Sequence, residues 1–234
     1  MRFLHLIVKD NALIEASHKL GEVGQRLILL AILKAREFCD NIEQLKDKEL
    51  IIHANDYINA FNVERQSAYK ALKQAVLGLY RAEWGYRYIN NRGNLAVRYE
   101  RFTQSAEYVE NEATVKFMFA NAIIPMLVEL ERAFTTYEIE QVAKLQSRYS
   151  MRLYECLIRF KTTKILKISL EELRFRLGLL SHEYIRMSDF KKDVLNLAVK
   201  QINEHTDIDV KYEQQKQGRK IVGFTFSFKQ KKDK

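Results

Sequence analysis

The chain has 234 residues, with 39 Lys+Arg against 30 Asp+Glu for a formal net charge of +9, and it is 47% hydrophobic and 29% charged. That balance excludes a disordered or collagen-like chain, and the longest apolar run, Leu27 to Leu33, is too short to span a bilayer as a helix. A single Pro and only 8 Gly predict long regular elements joined by short connections. The apolar start, Met1 to Val8, meets Lys9 and Asp10 before a signal-peptide core can form, and no small-residue cleavage site follows, so a cytoplasmic location is expected. Cys39 and Cys156 lie far apart with no His or Cys at ligand spacing, which predicts reduced thiols rather than a disulfide or zinc framework. Charge is unevenly spread: residues 1–147 hold 19 basic and 19 acidic side chains, whereas residues 148–234 hold 20 and 11. A solvated basic surface with a frayed tail from Lys229 to Lys234 explains that excess, and so does a polyanion partner whose condensed counterions the cations release.

In chain order, Asn11 to Ser17 and Val23 to Phe38 carry helical periodicity, the second so apolar that it must be a central core helix. Leu50 to His53 reads as a short strand and Asn55 to Ala60 as a short helix. Phe61-Asn62 then forms a turn in which Asn62 caps a longer helix from Val63 to about Tyr80. On it Ala68, Leu72, Ala75, Val76 and Leu79 form the apolar stripe, leaving Arg65, Gln66, Tyr69, Lys70 and Lys73 outside. Period-two alternation from Trp84 to Tyr88 and from Leu95 to Tyr99, around Asn90 to Asn94, predicts a hairpin; a strand over Thr114 to Phe119 and a helix around Pro125 follow. Leu13, Leu20 and Leu27 fall at heptad spacing, but three leucines interrupted by Gly21 and Gly24 are too few for a zipper and read as core.

The second half repeats this order. Arg148 to Phe160 reads as a helix with Tyr149, Leu153, Cys156, Leu157 and Phe160 inward, and Ile165 to Ser169 as a strand. Ser169 and Glu172 stand at capping-box spacing before a helix that Gly178 closes. Ser188 is then placed to cap a long helix to about His205, with Phe190, Val194, Leu197, Ala198 and Ile202 buried. Ile208 to Glu213 and Ile221 to Phe228 predict a second hairpin with a polar, basic tip at Gln215 to Arg219.

Each half therefore runs helix, strand, short helix, turn, long helix, hairpin. The fold class expected is α+β, two tandem winged helix-turn-helix domains, mostly helical with β-hairpin wings, divided as 1–132 and 133–234. The boundary is set near Glu131 to Thr136, where a helix ends and Thr135 with Glu138 can cap the next one. Such a fold places the start of its second helix in the major groove while flanking cations hold phosphates. In the second domain that set is Arg186, Ser188, Lys191 and Lys192, with Lys216, Arg219 and Lys220 at the wing tip; in the first it is Arg65, Gln66 and Lys70 beside an unfavourable Glu64. Asp189 orients a basic neighbour, accepts from a cytosine amino group or, as a first-turn acid, complements the helix dipole. No Walker loop, no close His pair among His5, His18, His53, His182 and His205, and no Ser/His/Asp or paired-carboxylate set stands out, so neither an enzyme nor a metal or cofactor site is expected.

Several segments resemble the iteron-binding replication initiators of theta-replicating plasmids, the Rep_3 superfamily. They are Leu6 to Leu13 followed by Gln25 to Leu30, Tyr149 to Glu155, Asp189 to Leu195 leading to Ile202 to Asp207, and the closing Tyr212-Glu213 and Lys216 to Lys220. The sequence is similar in particular to Rep proteins of small plasmid-like circular DNAs, including those called bovine meat and milk factors. The resemblance implies a tandem winged-helix protein that binds origin direct repeats as a monomer, helps open adjacent AT-rich DNA and recruits host replication initiator and helicase-loading proteins. It also implies a homodimer, formed mainly through the first domain, that represses the initiator's own promoter. Many relatives continue with a polar tail beyond the second hairpin, whereas this sequence stops at Lys234. Two other readings stay open: a dimeric winged-helix transcriptional repressor without a replication role, and a protein-interaction module that leaves DNA untouched.

Overall fold

The structure, a computed structural model, describes residues 5–38, 42–127 and 133–231. The chain opens with strand β1 (Leu6–Asp10) and helix α1 (Asn11–Glu15), whose first turn is held by the Asp10 carboxylate accepting from the Ala12 N–H. After β2 (Ser17–His18) comes α2 (Glu22–Phe38), in which Leu27 through Ile32 are all buried, as an apolar run without a polar face requires. Next are α3 (Ile42–Leu45), β3 (Glu49–His53), α4 (Ala54–Phe61) and α5 (Arg65–Arg81). Four strands follow, β4 (Glu83–Ile89), β5 (Leu95–Arg101), β6 (Thr103–Val109) and β7 (Thr114–Phe119). The sheet orders β3-β7-β6 and β2-β4-β5 separate these strands into two sheets.

The second half begins with β8 (Phe134–Glu138), α6 (Glu140–Ala143) and α7 (Arg148–Ile158), then β9 (Ile165–Ser169) and α8 (Leu170–Arg176). A continuous helical run over 187–205 consists of α9 (Met187–Asp189), a π-helical stretch (Phe190–Asn196) and α10 (Leu197–His205). It is followed by β10 (Ile208–Gln217) and β11 (Lys220–Gln230), in a sheet ordered β10-β11-β9. Both halves thus form a winged helix: α2, β3, α4, α5, β6, β7 and then α7, β9, α8, the 187–205 run, β10, β11. A single apolar cluster runs through both, so the two units share a core.

The structure corrects several local expectations. The wing of the first unit is β6–β7, because β7 is the strand that pairs with β3, just as β11 pairs with β9. The alternating hairpin expected as that wing, now β4–β5, belongs to a separate sheet with β2. Thr135 and Glu138 cap no helix: they lie in β8, which pairs antiparallel with β1 and so ties the start of the chain to the segment just past residue 132. Asn62 ends α4 in a left-handed conformation (φ 48°), and the cap of α5 is Glu64. The helix expected around Pro125 is a single 3₁₀ turn, Ile124–Met126, and its continuation toward Glu131 lies outside the described residues, as does Cys39. Phe160 lies just beyond α7 and is half-buried.

Ser188 is not the cap of the long helix; Arg186 occupies that position and Ser188 sits inside the first turn. Leu197 is 40% exposed, whereas Leu195 is fully buried. The π stretch explains the exchange: its wider turn brings Leu195 onto the face of Phe190, five residues earlier, and rotates Leu197 outward. The tail is not frayed through its whole length: β11 reaches Gln230, and Lys231 Nζ bonds the Asn203 and Thr206 carbonyls at 2.5 and 2.8 Å. Leu13, Leu20 and Leu27 are core residues, 2%, 4% and 0% exposed.

Candidate nucleic-acid interface

In the second unit, α8 and the 187–205 run are the two helices of a helix-turn-helix, and the turn between them is pinned from below. Arg174 on α8 donates to the carbonyls of Leu180, Glu183 and Tyr184, while its guanidinium lies 5.5 Å from the Phe190 ring centre. The Glu183 carboxylate accepts from the Leu180 N–H at 2.7 Å and from Arg148 at 3.2 Å. Ser169 caps α8 through the Glu172 N–H, but Glu172 does not return the bond; its carboxylate pairs with Arg176 and Arg87 instead.

Above this turn stand the residues expected to meet a partner. Arg186 and Lys192 are exposed, and Ser188 Oγ donates to Asp189 Oδ1 at 3.1 Å, which occupies that carboxylate locally. Lys191 is half-buried and its Nζ reaches Gln214 Oε1 on β10 at 3.5 Å, so the start of the helix adjoins the wing strand. A register shift at Gln215/Lys216 and a two-residue turn with Gly218 at φ 61° form the wing tip, where Lys216, Arg219 and Lys220 are all exposed. The side chains of Lys192, Lys216, Arg219 and Lys220 make no hydrogen bond or ion pair to another described residue. Asp193 and Glu213 are the exposed acids nearby in sequence.

The corresponding front of the first unit is built differently. Glu64 accepts from the Ser67 N–H at 2.9 Å, and backbone hydrogen bonds from Ser67 and Gln66 hold its carboxyl below the ordinary range, so α5 begins at a negative charge. Arg65 is folded back along the helix, with Nε on Tyr69 Oη at 2.7 Å and the guanidinium 5.4 Å from that ring's centre. Gln66 and Lys70 are exposed. The wing tip is acidic: Glu110–Glu112 forms a 3₁₀ turn, with Glu110 pairing Lys73 at 2.6 Å and Glu112 pairing Lys116 at 3.7 Å.

The relative placement of the two fronts is set by a buried polar seam centred on α7, every residue of which from Tyr149 to Ile158 is buried. Arg152, 1% exposed, donates to the carbonyls of Ile14 and Ala16 at 2.7 and 2.6 Å and to that of Arg176 at 3.1 Å, and pairs with Glu155 at 2.8 Å. Glu155 also accepts from Lys9 at 2.5 Å and from the Tyr137 hydroxyl at 2.6 Å. Burial pushes the Glu155 carboxyl up, but Lys9, Arg152 and these hydrogen bonds outweigh it and hold it below its ordinary value. Arg26 reaches the carbonyls of Ala143 and Leu145, and Arg87 on β4 pairs with Glu171 at 2.8 Å while lying 4.4 Å from the Phe175 ring centre. At Gly178, φ 68°, a Cβ would sit 2.0 Å from the His18 carbonyl oxygen, so only glycine permits this approach of the two halves. His18 is buried edge-on to Phe102 with Nδ1 unpartnered; burial, then the nearby Arg152, Lys9 and Arg148, lower its pKa well below the ordinary value and keep it neutral.

Sequence reasoning found the cations of the helix start and wing but missed Arg174, the β1–β8 pairing and the α7 seam. An Arg four residues before a closing Gly, and an Arg and Glu at i, i+3 in an apolar helix, were the available signals. Among the described residues no group of three or more His, Cys, Asp or Glu could hold a metal, and no helix is long and apolar enough to cross a membrane.

Comparison with known proteins matches this architecture in both halves. Residues 6–158 match the family described as "Initiator Replication protein, WH1", and residues 169–228 match "Initiator Rep protein, WH2". A replication initiation protein of Escherichia coli is 27% identical over 210 residues, covering 87% of this chain and 63% of that protein. The PI protein of Escherichia coli is 30% identical over 138 residues, covering 52% of this chain and 45% of that protein. The chain therefore spans less than two thirds of the length of these two relatives. The crystal structure of the Pi initiator protein in complex with iteron DNA has the same fold, with a TM-score of 0.78 at 23% identity over 100% of both chains. With the first family covering more than half of the sequence and the second covering the remaining winged helix, the chain belongs to the family of initiator replication proteins.

Proposed function

We propose that this chain is a sequence-specific double-stranded DNA-binding initiator that engages direct repeats at a replication origin as a monomer. The observation that carries the reading is the cluster of partner-free cations on the second unit: Lys192 on the helix, Lys216, Arg219 and Lys220 on the wing, with the Lys191 contact to Gln214 joining the two elements. Arg186, Ser188, Lys191 and Lys192 are the groove-facing set and the wing lysines and arginine hold phosphate; Arg65, Gln66 and Lys70 make secondary contacts. The division at 132/133 gives a first unit for self-association and a second for the main grip on DNA. The chain acts in the cytoplasm, by binding rather than by catalysis, and hands the opened origin to host replication initiator and helicase-loading proteins.

A homodimer through the first unit represses the initiator's own promoter. What favours it is β5, an edge strand on a hairpin that exposes Tyr88, Ile89, Leu95, Val97 and Tyr99. The purely repressive alternative differs in one outcome. A marker plasmid carrying the chain and its origin repeats transforms a host only if the chain initiates replication, whereas a simple repressor binds and shuts the promoter but yields no transformants. Binding to the repeats with a log-log salt slope near −0.9 per phosphate contact is expected, and salt-independent or absent binding would overturn the reading.

A further inference from the structure

We propose that Ile185 is an apolar base reader, packing on thymine methyl groups in the major groove, and that Arg174 is the positioning residue that holds it there. The inference rests on the DNA-binding reading above and deepens it.

Ile185 is 79% exposed, the most exposed large hydrophobic side chain among the described residues. A single exposed aliphatic residue needs no explanation by itself. Here the backbone on both sides is built to keep it out. Tyr184, immediately before it, adopts a left-handed conformation with φ 46°, which is costly for a bulky residue and persists only when its surroundings over-determine it. They do: the carbonyls of Glu183 and Tyr184 are turned toward Arg174, and the Tyr184 ring packs edge-on against Tyr149, with centroids 6.1 Å apart. Immediately after it, the Arg186 carbonyl accepts the Asp189 and Phe190 N–H groups at 3.1 and 3.0 Å and starts the helix. Ile185 thus stands between two anchored peptides, with exposed Arg186 and Ser188 following it.

On the DNA-binding reading, a residue just ahead of the groove-entering helix and beside a cation is placed to meet base edges. The thymine methyl is the apolar group the major groove offers, and an isoleucine can match it without leaving a polar atom unsatisfied. Aliphatic contact carries no charge, so this reading also separates cleanly from the phosphate grip of the neighbouring cations.

The test uses the full chain and a duplex that it selects from a random pool. Each thymine of that duplex is replaced in turn by deoxyuridine, which lacks only the methyl group. For the wild type, one or two positions are expected to lose about fourfold in affinity, the transfer cost of one methyl. Ile185→Ala should bind the unmodified duplex about fourfold more weakly, show no further loss at those positions and keep the wild-type salt slope, while Ile185→Val retains part of the effect. Arg174→Lys, which cannot reach three carbonyls in one plane, should shrink the methyl effect below about twofold with the salt slope unchanged. Equal deoxyuridine losses in wild type and Ile185→Ala, or unchanged DNA affinity in Ile185→Ala, overturn this inference alone. A pool that yields no preferred duplex, with Lys191→Ala/Lys192→Ala binding as wild type, overturns the DNA reading as well.

Discussion

In the first winged helix the exposed helix starts at an ionised Glu64, its arginine lies back on Tyr69, and its wing ends in Glu110 and Glu112. In the second the same position in the fold starts at Arg186, continues through Lys191 and Lys192, and the wing ends in Lys216, Arg219 and Lys220 with no partner among the described residues. One element order therefore serves two electrostatic surfaces. Architecture fixes where a helix and a wing stand, but the balance between paired and free charge decides whether they attract a polyanion. The first unit pairs two of its cations, Lys73 with Glu110, and Arg26 with Glu22 and with the Ala143 and Leu145 carbonyls of the second unit, and leaves an apolar hairpin edge exposed.

The largest expected effect breaks the tie between the two units. Glu155→Gln leaves Lys9 and Arg152 buried without their carboxylate and is expected to cost about 3–5 kcal/mol, measured as a fall in the midpoint of denaturant unfolding. An unaltered midpoint would mean that the seam does not hold the two fronts together. Next comes the contrast itself. Replacing Lys191, Lys192 and Arg219 by Ala removes two groove-facing cations and one phosphate contact and should weaken binding to the repeats about 100-fold, at ~1 kcal/mol per contact. The matching Arg65, Gln66 and Lys70 triple is expected to lose less than about tenfold. Fluorescence anisotropy over a salt series reads both, and equal losses would erase the distinction between the units.

Reversing the sign of the first wing sharpens the comparison further. Glu110→Lys with Glu112→Lys frees Lys73 and Lys116 and should tighten DNA binding about fivefold with a steeper salt slope; no change would show that this wing stays away from the duplex. The smallest effect is on pH. His18 has a depressed pKa in the folded chain, so unfolded chains take up its proton first, and stability falls as pH drops through about 6.5. One such group predicts a loss of about 0.8 kcal/mol between pH 7.5 and pH 6.0, which thermal unfolding at the two pH values would detect and which His18→Leu should abolish.

Much of the fold was legible because its signals are local. The Ser169 cap, the stop at Gly178, the stripe of Ala68, Leu72 and Leu79 and the alternation around both hairpins follow from hydrogen-bond needs and periodicity within a few residues. What escaped depends on distant partners. β6 is a polar strand whose pattern declares nothing until β7 lies beside it, and β1 becomes a strand only because β8, the first strand of the second half, meets it. The π stretch moves Leu195 inward and Leu197 outward, a change of register that a fixed 3.6-residue period cannot express.

By itself, the amino-acid sequence determined that the chain holds two copies of one element order and that its positive excess lies in the second copy, since both follow from composition and short-range patterning. Tertiary structure alone decided which cations remain available. Arg65, Lys73, Arg152 and Arg174 look no different in sequence from Arg186 and Lys192, yet folding gives the first four a hydroxyl, a carboxylate or a set of carbonyls. A charge is free only when nothing brought near by the rest of the chain neutralises it, and that proximity is a property of the packed molecule.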